Sequence, residues 1–433
     1  MSGALKQEVG VVGVAILGAG TAIGVSIFTV LQPAAEQAGS GLLVALVLAA
    51  MPMLLFALSY AYLGANAPVS GASYEWPRRY LHPFVGFAVA WLRIIGTTGA
   101  IVILAKVLVS YVTSVVPVPG PLLAIGSISV VVFLNFLGVS VAAWVQTAMM
   151  ILLLIVFGFY AGAGTPQVDW TFLLPQSNST LAILGAVPLM ISLFLGIETA
   201  VEIGEEVKRP ARTIPLGIGL GILLTISVYG LIAAVSLGVL GADILAGSSA
   251  PLVDVASRTM GDMGPAIIAA AAAFAILQTL NALVLIFSRS LLAMSRAGVF
   301  PKFLAAVHPK FGTPHRAIAV VYMAALIGLL LPSNLIFLLL SVNVPTMLKY
   351  AACSLGAAVA ARRSQDAPQS QAAFLPANLI MTVSYIGAVL AVAIVLLGLT
   401  ADWRPYILLI VWMGIGCIYW LLWARRSAAS PAI

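Results

Sequence analysis

Long apolar runs recur almost from one end of the 433-residue chain to the other. A helix needs about 20 mostly apolar residues to cross a hydrocarbon core of about 30 Å. Hydrophobic residues make up 62% of the chain and charged residues 8%, whereas roughly 25% of the residues in an ordinary soluble domain are charged. The pattern therefore predicts an all-α integral membrane protein.

The apolar runs predict about twelve transmembrane helices. Their expected bounds are 10–35, 41–66, 83–116, 121–138, 140–164, 181–204, 211–240, 263–297, 316–332, 334–360, 375–399 and 403–425. The longest polar interruptions are 165–180, 241–262, 298–315 and 361–374. Because none of these interruptions is long enough to hold its own core, we expect a single transmembrane domain over residues 1–433 whose function lies among the helices.

Lysine and arginine are concentrated on one side of this arrangement, and such loops are retained in the cytoplasm. The basic residues on that side are Lys6, Arg78, Arg79, Lys208, Arg209, Arg212, Arg296, Lys302, Lys310, Arg316, Arg362, Arg363, Arg425 and Arg426. We expect both termini in the cytoplasm of a multi-pass protein of the bacterial inner (plasma) membrane. The formal net charge of +7 lies in short juxtamembrane loops, which predicts contact with membrane lipids and no nucleic-acid partner.

The first apolar segment contains small residues where a helix would be weakened. Its stretch "LGAGTAIGVSIF" has glycines at 18, 20 and 24 and a serine at 26. Small residues in a membrane helix permit close packing of a neighbouring helix. The alternative is an unwound segment whose freed N–H and C=O groups face a cavity and bind a polar ligand.

A second interruption occurs in the sixth apolar segment, in "SLFLGIETAVEIGEE". Glu198 is a carboxylate well inside an apolar helix, which marks a functional candidate, whereas Glu202 lies nearer the cytoplasmic end. Two broken helices at matching positions indicate a transporter with an internal repeat. We expect inverted repeats of five helices each, over about 10–164 and 181–360, followed by two further helices over about 375–425.

Four ordered motifs carry a family resemblance. They are "GTAIGVSIF", "APVSGASYEWPRRYLHPFVGFAVAW", "EEVKRPARTIP" and "SRSLLAMSRAGVFPKFLAAVHPKFGTP". Together they resemble the signatures of the amino acid–polyamine–organocation transporters over roughly residues 10–360, with Arg209 in place of the usual asparagine. The resemblance implies a LeuT-like fold with substrate held near the bilayer midplane by the broken first and sixth helices.

The resemblance also implies a set of substrate contacts. Backbone groups of Gly24, Val25, Ser26 and Ile27 would cradle a carboxylate, while carbonyls of Ala22, Ser192 and Leu195 would face an amine. The full set of expected substrate-binding residues is Ala22, Ile23, Gly24, Val25, Ser26, Ile27, Thr98, Ser192, Phe194, Leu195, Gly196 and Leu283. Asn343 is a secondary pocket candidate.

Several positions depart from the family pattern. Ser26 stands where relatives have glycine, and Ser192 and Leu283 stand where some relatives place an aromatic gate. Ser26 therefore either adds a hydrogen bond or indicates a substrate of different shape. A pocket with few charges favours a neutral amino acid over a dicationic amine, and the buried lysines leave an anionic substrate open.

Coupling is the least determined property. Relatives often carry a lysine in the fifth helix, where this chain has Leu153. The coupling and gating candidates are Glu198, Glu202, Asn281 and Lys349, and the candidate sodium ligands are Thr279 and Ser288. We expect no cofactor and no other metal site. The possible coupling ion is H+ or Na+, and exchange and uniport are also open. Lys349 either titrates or pairs with one of the two glutamates during the cycle, or it forms a static structural pair. The role of Lys106 is open.

The sequence thus predicts a symporter or exchanger of a small or neutral amino acid, or of a related amine, working by alternating access. The chain has no G-x-x-x-x-G-K-[ST] phosphate loop, so ATP-driven transport by this chain alone is not expected. An enzyme is not expected, because there is no cluster of catalytic residues within the apolar segments. The alternatives are an amine, polyamine or organic-anion exchanger, a channel, or a nutrient sensor without transport. A monomer and a homodimer are both open.

Overall fold

The computed structural model describes residues 10–23, 25–69, 72–137, 142–175, 179–196, 201, 207–296, 298–309, 311, 313–330, 334–366 and 375–424. Helices account for most of these residues, which confirms the all-α prediction. The two sequence candidates Glu198 and Glu202, together with Gly24, lie outside the described residues.

The described part of the chain forms sixteen α-helices, which are numbered here in chain order. They are α1 (Val11–Ala22), α2 (Ser26–Ala38), α3 (Leu42–Asn66), α4 (Ala72–Tyr80), α5 (Pro83–Thr113), α6 (Gly120–Leu137), α7 (Ala142–Gly164), α8 (Thr180–Met190), α9 (Pro210–Leu240), α10 (Ala242–Gly247), α11 (Pro251–Thr259), α12 (Gly264–Arg296), α13 (His315–Leu330), α14 (Leu335–Asp366), α15 (Ala377–Leu397) and α16 (Arg404–Tyr419).

Within the described ranges, eight helical stretches are long and apolar enough to cross a membrane. They are Ser26–Asn66, Pro83–Thr113, Met150–Gln167, Pro210–Leu240, Gly264–Asn281, Leu335–Ser364, Ala377–Thr400 and Arg404–Trp423. Three shorter apolar helices are Gly120–Phe136, Thr180–Phe194 and His315–Leu330. The multi-pass character is thus clear, while the number of twelve spans and the five-plus-five repeat stay predictions.

Two glycines of α9 allow α1 to pack closely against it. A Cβ atom on Gly217 would lie 2.4 Å from Cγ1 of Val14, and one on Gly221 would lie 3.3 Å from the carbonyl oxygen of Ala15. Small residues four positions apart on one helix face are a common device for close helix packing in membranes. This contact fixes the position of α1, which leads into the first helix break.

The last helix, α16, is docked on α5 by a reciprocal pair of tryptophans. Nε1 of Trp91 donates to the carbonyl of Trp412 at 2.8 Å, and Nε1 of Trp412 donates to the carbonyl of Trp91 at 2.9 Å. The two rings are stacked with centroids 4.7 Å apart. Both indole N–H groups thereby have an acceptor within the protein, as tryptophans packed between helices require.

The polar interruptions contain three short helices, α4, α10 and α11, that the apolar pattern did not predict. Helix α4 is anchored by Trp76, which is fully buried and donates from Nε1 to the carbonyl of Ala67 at 3.0 Å. Helix α10 packs against α2, where Nε2 of Gln32 donates to the carbonyl of Ala246 at 2.8 Å. These segments therefore cover the ends of the membrane helices instead of forming open loops.

Candidate substrate-binding site

The first apolar segment is interrupted close to its predicted break. Helix α1 ends at Ala22, Ile23 has non-helical backbone angles (φ −78°, ψ 84°), and α2 begins at Ser26. The break is narrower than the predicted 18–26, because the backbone stays helical through Gly18 and Gly20. The last carbonyls of a helix and the first N–H groups of the next have no partner within their own helices. The break therefore releases both kinds of group at one place.

The sixth apolar segment is also interrupted. After α8 the chain forms a 3-10 turn over Ile191–Phe194, and Leu195 is then extended (φ −69°, ψ 135°). Gly196 follows with φ 110°. A residue with a Cβ rarely adopts that backbone conformation, so glycine is needed here. This segment thus leaves the helical path at the residues that the sequence singled out.

The structure brings the two breaks together. The 3-10 turn Ile191–Phe194 packs against both α1 and α2. Apolar side chains close the region around the junction, and Ile23, Val25, Ile27 and Phe194 are all buried. Ser26 and Leu195 are half-buried. Backbone groups without a helical partner, next to an apolar wall, are the elements that a site for a small zwitterion requires.

Tyr229 of α9 contacts the first break directly, and the sequence reasoning did not identify it. Its side chain is fully buried, and its hydroxyl donates to the carbonyl oxygen of Ala22. A carbonyl oxygen has two lone pairs, so Ala22 retains the capacity to accept a second hydrogen bond. A tyrosine in the middle of an apolar helix was the available signal, because a buried hydroxyl needs a partner.

Asn343 of α14 holds the second break. Its Nδ2 donates to the carbonyl of Pro188 at 2.6 Å and to Oγ of Ser192 at 2.8 Å. The Ser192 hydroxyl in turn donates to Oδ1 of Asn343 at 2.9 Å. Both side chains are buried, at 2% and 6% exposure for Asn343 and Ser192. The Ser192 hydroxyl is thus engaged with α14, and its carbonyl accepts from the N–H of Leu195 at 3.4 Å.

Asn281 of α12 is joined to a residue that the sequence reasoning did not select. Nδ2 of Asn135, on α6, donates to Oδ1 of Asn281 at 2.6 Å and also to the carbonyl of Val131 at 3.0 Å. Asn135 is 4% exposed, whereas Asn281 is half-buried. The amide pair therefore links α6 to α12, and the role of Asn281 in gating stays a prediction.

The remaining sequence candidates lie on α5 and α12. The Thr98 hydroxyl donates to the carbonyl of Ile94 at 2.8 Å, and its methyl group lies 3.5 Å from the position of a Cβ on Gly328. These described contacts place Thr98 beside α13. The Thr279 hydroxyl donates to the carbonyl of Ala275 at 3.0 Å, which is the common arrangement for threonine in membrane helices.

Other α12 candidates differ in burial: Ser288 is fully buried, and Leu283 is half-buried against the main apolar core. The described part of the chain contains no group of three or more His, Cys, Asp or Glu side chains placed to hold a metal ion. Sodium can be held by hydroxyl and carbonyl oxygens instead of these side chains, so Thr279 and Ser288 stay predicted ligands.

Lys349 is a buried cation on α14, at 2% exposure. Its Nζ lies 4.7 Å from the centre of the Tyr350 ring. That ring stacks on Phe56 of α3 with centroids 5.1 Å apart and meets Tyr60 edge-on at 5.4 Å. A cation over an aromatic face is stabilised by the ring quadrupole. Pairing of Lys349 with a glutamate stays a prediction, because both glutamates lie outside the described residues.

Two interrupted helices that pack against each other in an all-helical membrane chain are an arrangement known from transporters. The chain belongs to the amino acid permease family, whose model matches residues 9–416. This membership supports a membrane transporter of amino acids rather than an enzyme, and it agrees with the resemblance carried by the four sequence motifs.

Individual relatives agree with this membership. An uncharacterized transporter of Mycobacterium tuberculosis is 34% identical over 325 residues, covering 73% of this chain and 72% of the relative. An uncharacterized transporter of Mycobacterium bovis matches to the same extent. The branched-chain amino acid permease BcaP of Bacillus subtilis is 27% identical over 449 residues, covering 98% of this chain and 94% of the relative.

Proposed function

We propose that this chain moves a small or neutral amino acid across the bacterial inner membrane by alternating access, as a symporter or an exchanger. One observation carries the proposal: the 3-10 turn Ile191–Phe194 packs against both halves of the first interrupted helix. The lysine and arginine distribution supports cytoplasmic termini for this transporter. Inverted repeats of five helices are part of the same proposal.

In this proposal the substrate carboxylate lies at the start of α2. The N–H groups of Val25, Ser26 and Ile27 would point toward it, because the first N–H groups of a helix have no intrahelical acceptor. Helix α2 has 13 residues, so its dipole adds positive potential at the same end. The Ser26 hydroxyl would add a further donor at the position where relatives have glycine.

The substrate ammonium group lies among carbonyl oxygens. The Ala22 carbonyl is oriented by Tyr229, and the Ser192 and Leu195 carbonyls belong to the second break. The substrate side chain would face apolar residues such as Ile23, which is 1% exposed. BcaP is named as a branched-chain amino acid permease, and that name supports an aliphatic substrate here.

Coupling is assigned in this proposal to Lys349 and the glutamates of the second break. Leu153, at the place where relatives often carry a lysine, is apolar and 5% exposed, so a proton-coupled cycle would need its titrating group at another position. Lys349 is a buried cation on α14, the helix that also holds Ser192 through Asn343. Proton coupling would act through Lys349, whereas sodium coupling would use oxygens such as those of Thr279 and Ser288 on α12.

A second candidate function is exchange of an organic anion, and the buried Lys349 is the observation that favours it. A cation inside the membrane is a functional candidate by default. An anionic substrate without an amine would be attracted to that charge and would not need the carbonyls of the breaks. The chemical class of the ligand that binds therefore distinguishes an amino acid transporter from an organic-anion exchanger.

The test is a thermal-shift screen of the purified protein against amino acids, amines and carboxylates at two sodium concentrations and two pH values. Compounds that stabilise the protein are then tested for counterflow in proteoliposomes. We expect stabilisation by neutral amino acids and saturable counterflow of the same compounds. Stabilisation by carboxylates that lack an amine would support the anion exchanger instead, and binding without flux would indicate a sensor.

A further inference from the structure

Two arginines from different helices converge on one tyrosine at the end of α4. The guanidinium carbon of Arg79 lies 5.7 Å from the centre of the Tyr80 ring, and that of Arg363, near the end of α14, lies 5.9 Å from the same centre. Arg79 and Arg363 are exposed, as is the neighbouring Arg362, and Tyr80 is half-buried. Two solvent-accessible cations therefore lie against one aromatic ring, and a third is adjacent to one of them in the sequence.

Close packing of α14 on α4 holds this arrangement in place. A Cβ on Gly356 would lie 3.7 Å from Cβ of Tyr80 and 3.9 Å from the carbonyl oxygen of Trp76. Trp76 is itself fully buried and hydrogen-bonded. Tyr80 and Arg363 thus belong to two anchored helices, and their approach is fixed by the fold.

The nearest described carboxylate on α4 is already engaged. Glu75 receives two hydrogen bonds from Arg78, of 2.7 and 2.9 Å, and this pairing raises the pKa of Arg78. Among the side chains that the structure describes, neither Arg79 nor Arg363 forms a salt bridge. Two like charges beside one ring repel each other, and an anion placed between them would offset that repulsion.

The position of this group in the chain indicates the source of such an anion. The membrane helix α5 begins at Pro83, three residues after Tyr80, and the apolar stretch of α14 ends at Ser364, next to Arg363. Aromatic and basic side chains at helix ends lie at the level of the lipid headgroups. The lysine and arginine distribution assigns this side to the cytoplasm, where the leaflet carries anionic lipids.

We propose that Arg79, Arg363 and the Tyr80 ring form a binding site for the phosphate group of an anionic phospholipid. A guanidinium group matches two phosphate oxygens with two parallel N–H donors. The tyrosine ring lies against both guanidinium groups and positions them, and Arg362 adds positive potential beside the site. The partner is a lipid with a net negative headgroup, such as phosphatidylglycerol. This site is independent of the transported substrate.

Native mass spectrometry of the purified protein with phosphatidylglycerol or phosphatidylcholine of identical acyl chains tests the proposal. We expect the wild type to retain phosphatidylglycerol in preference to phosphatidylcholine. The variant Arg79→Gln/Arg363→Gln should bind phosphatidylglycerol about 25-fold more weakly, and each single variant about five-fold, because a basic residue near an anionic surface contributes about that much. Binding of phosphatidylcholine, whose choline group offsets the charge of its phosphate, should change less than binding of phosphatidylglycerol.

A matched control removes two exposed cations elsewhere on the same predicted side, as Lys302→Gln/Arg316→Gln. Lys302 and Arg316 are both exposed, and their replacement should leave the lipid preference within about two-fold of the wild type, since neither adjoins the Tyr80 ring. Thermal unfolding and gel filtration establish that each variant is folded. If the double arginine variant does not fold, the lipid preference of the two single variants tests the proposal.

Two results would overturn the proposal. The first is equal retention of phosphatidylglycerol by the wild type and the folded arginine variants. The second is displacement of the lipid by inorganic phosphate at millimolar concentration, which would identify the ligand as a soluble phosphate. Retention that is lost only in the arginine variants and resists inorganic phosphate supports the lipid site.

Discussion

Asn343 of α14 and Ser192 at the second helix break are joined by a reciprocal pair of side-chain contacts, 2.8 Å from Nδ2 to Oγ and 2.9 Å from Oγ to Oδ1. The same Nδ2 donates to the carbonyl of Pro188 at 2.6 Å, which lies in the last turn of α8 and lacks an intrahelical donor. One amide side chain thus compensates for the helix interruption. The break is therefore supported by a specific partner on another membrane helix.

Replacing Asn343 by Leu should destabilise the protein by about 1–3 kcal/mol, because two buried polar groups lose their partner. Ser192→Ala should cost about 1 kcal/mol, and the double variant should cost less than the sum of the two singles by at least about 0.5 kcal/mol. Chemical unfolding in detergent micelles measures the three values. The control is Thr382→Val, which removes an exposed hydroxyl on α15. Additive effects would show that the pair is not coupled.

Tyr229→Phe removes the hydroxyl that orients the Ala22 carbonyl and leaves the ring in place. We expect the substrate KM for transport to rise about five- to tenfold, since the loss of one hydrogen bond corresponds to about 1 kcal/mol. The control is Tyr385→Phe on α15. Tyr385 is 48% exposed, and its replacement should leave the KM unchanged. Uptake kinetics in proteoliposomes provide the comparison. An unchanged KM in the Tyr229 variant would show that this hydroxyl does not contribute to substrate binding.

Gly217 and Gly219 form a matched pair on α9. A methyl group on Gly217 would lie 2.4 Å from Cγ1 and 2.6 Å from Cβ of Val14, whereas Gly219 has no atom within 4 Å of that position. Gly217→Ala should lower stability by about 1–3 kcal/mol through overpacking and should slow transport by displacing α1. Gly219→Ala should be neutral or slightly stabilising. Equal melting temperatures for the two variants would contradict the described packing of α1 on α9.

Arg209 adopts a left-handed backbone conformation (φ 46°, ψ 59°) immediately before α9. Asparagine tolerates this conformation better than other residues with a side chain, and asparagine is the usual residue at this place in the motif that the sequence resembles. Arg209→Asn should therefore raise the melting temperature, by an amount corresponding to about 0.5–1 kcal/mol. Arg212→Asn, inside α9, should lower it slightly because asparagine is a poorer helix former. The reverse order would contradict the assigned conformation.

Apolar runs predicted most helix positions closely, and the reason is physical. Backbone groups inside a bilayer must be satisfied within the helix, so each apolar run of sufficient length forms one. The run at 41–66 corresponds to Leu42–Asn66 and the run at 121–138 to Gly120–Leu137. The short helices α4, α10 and α11 were not predicted, because they lie in polar interruptions where that constraint does not apply.

The candidate site was predicted less completely. Glycines drew attention to the first break, yet Gly18 and Gly20 remain helical and the interruption begins only at Ile23. Small residues weaken a helix without deciding where it ends. Tyr229 and Asn135 were not predicted at all, because a sequence without contacts does not show which buried polar group satisfies which partner.

Counterflow of a labelled neutral amino acid into proteoliposomes tests the central claim most directly, with Gly196→Ala as the variant and Gly219→Ala as the control. Gly196 has φ 110°, so an added Cβ should distort the second break. Counterflow should fall about tenfold or more, because a small displacement of the groups that bind the substrate lowers the rate strongly. Wild type and Gly219→Ala should both show saturable counterflow. Absence of counterflow for every amino acid by folded wild-type protein, or full activity of Gly196→Ala, would contradict the assignment of the two breaks as the amino acid site.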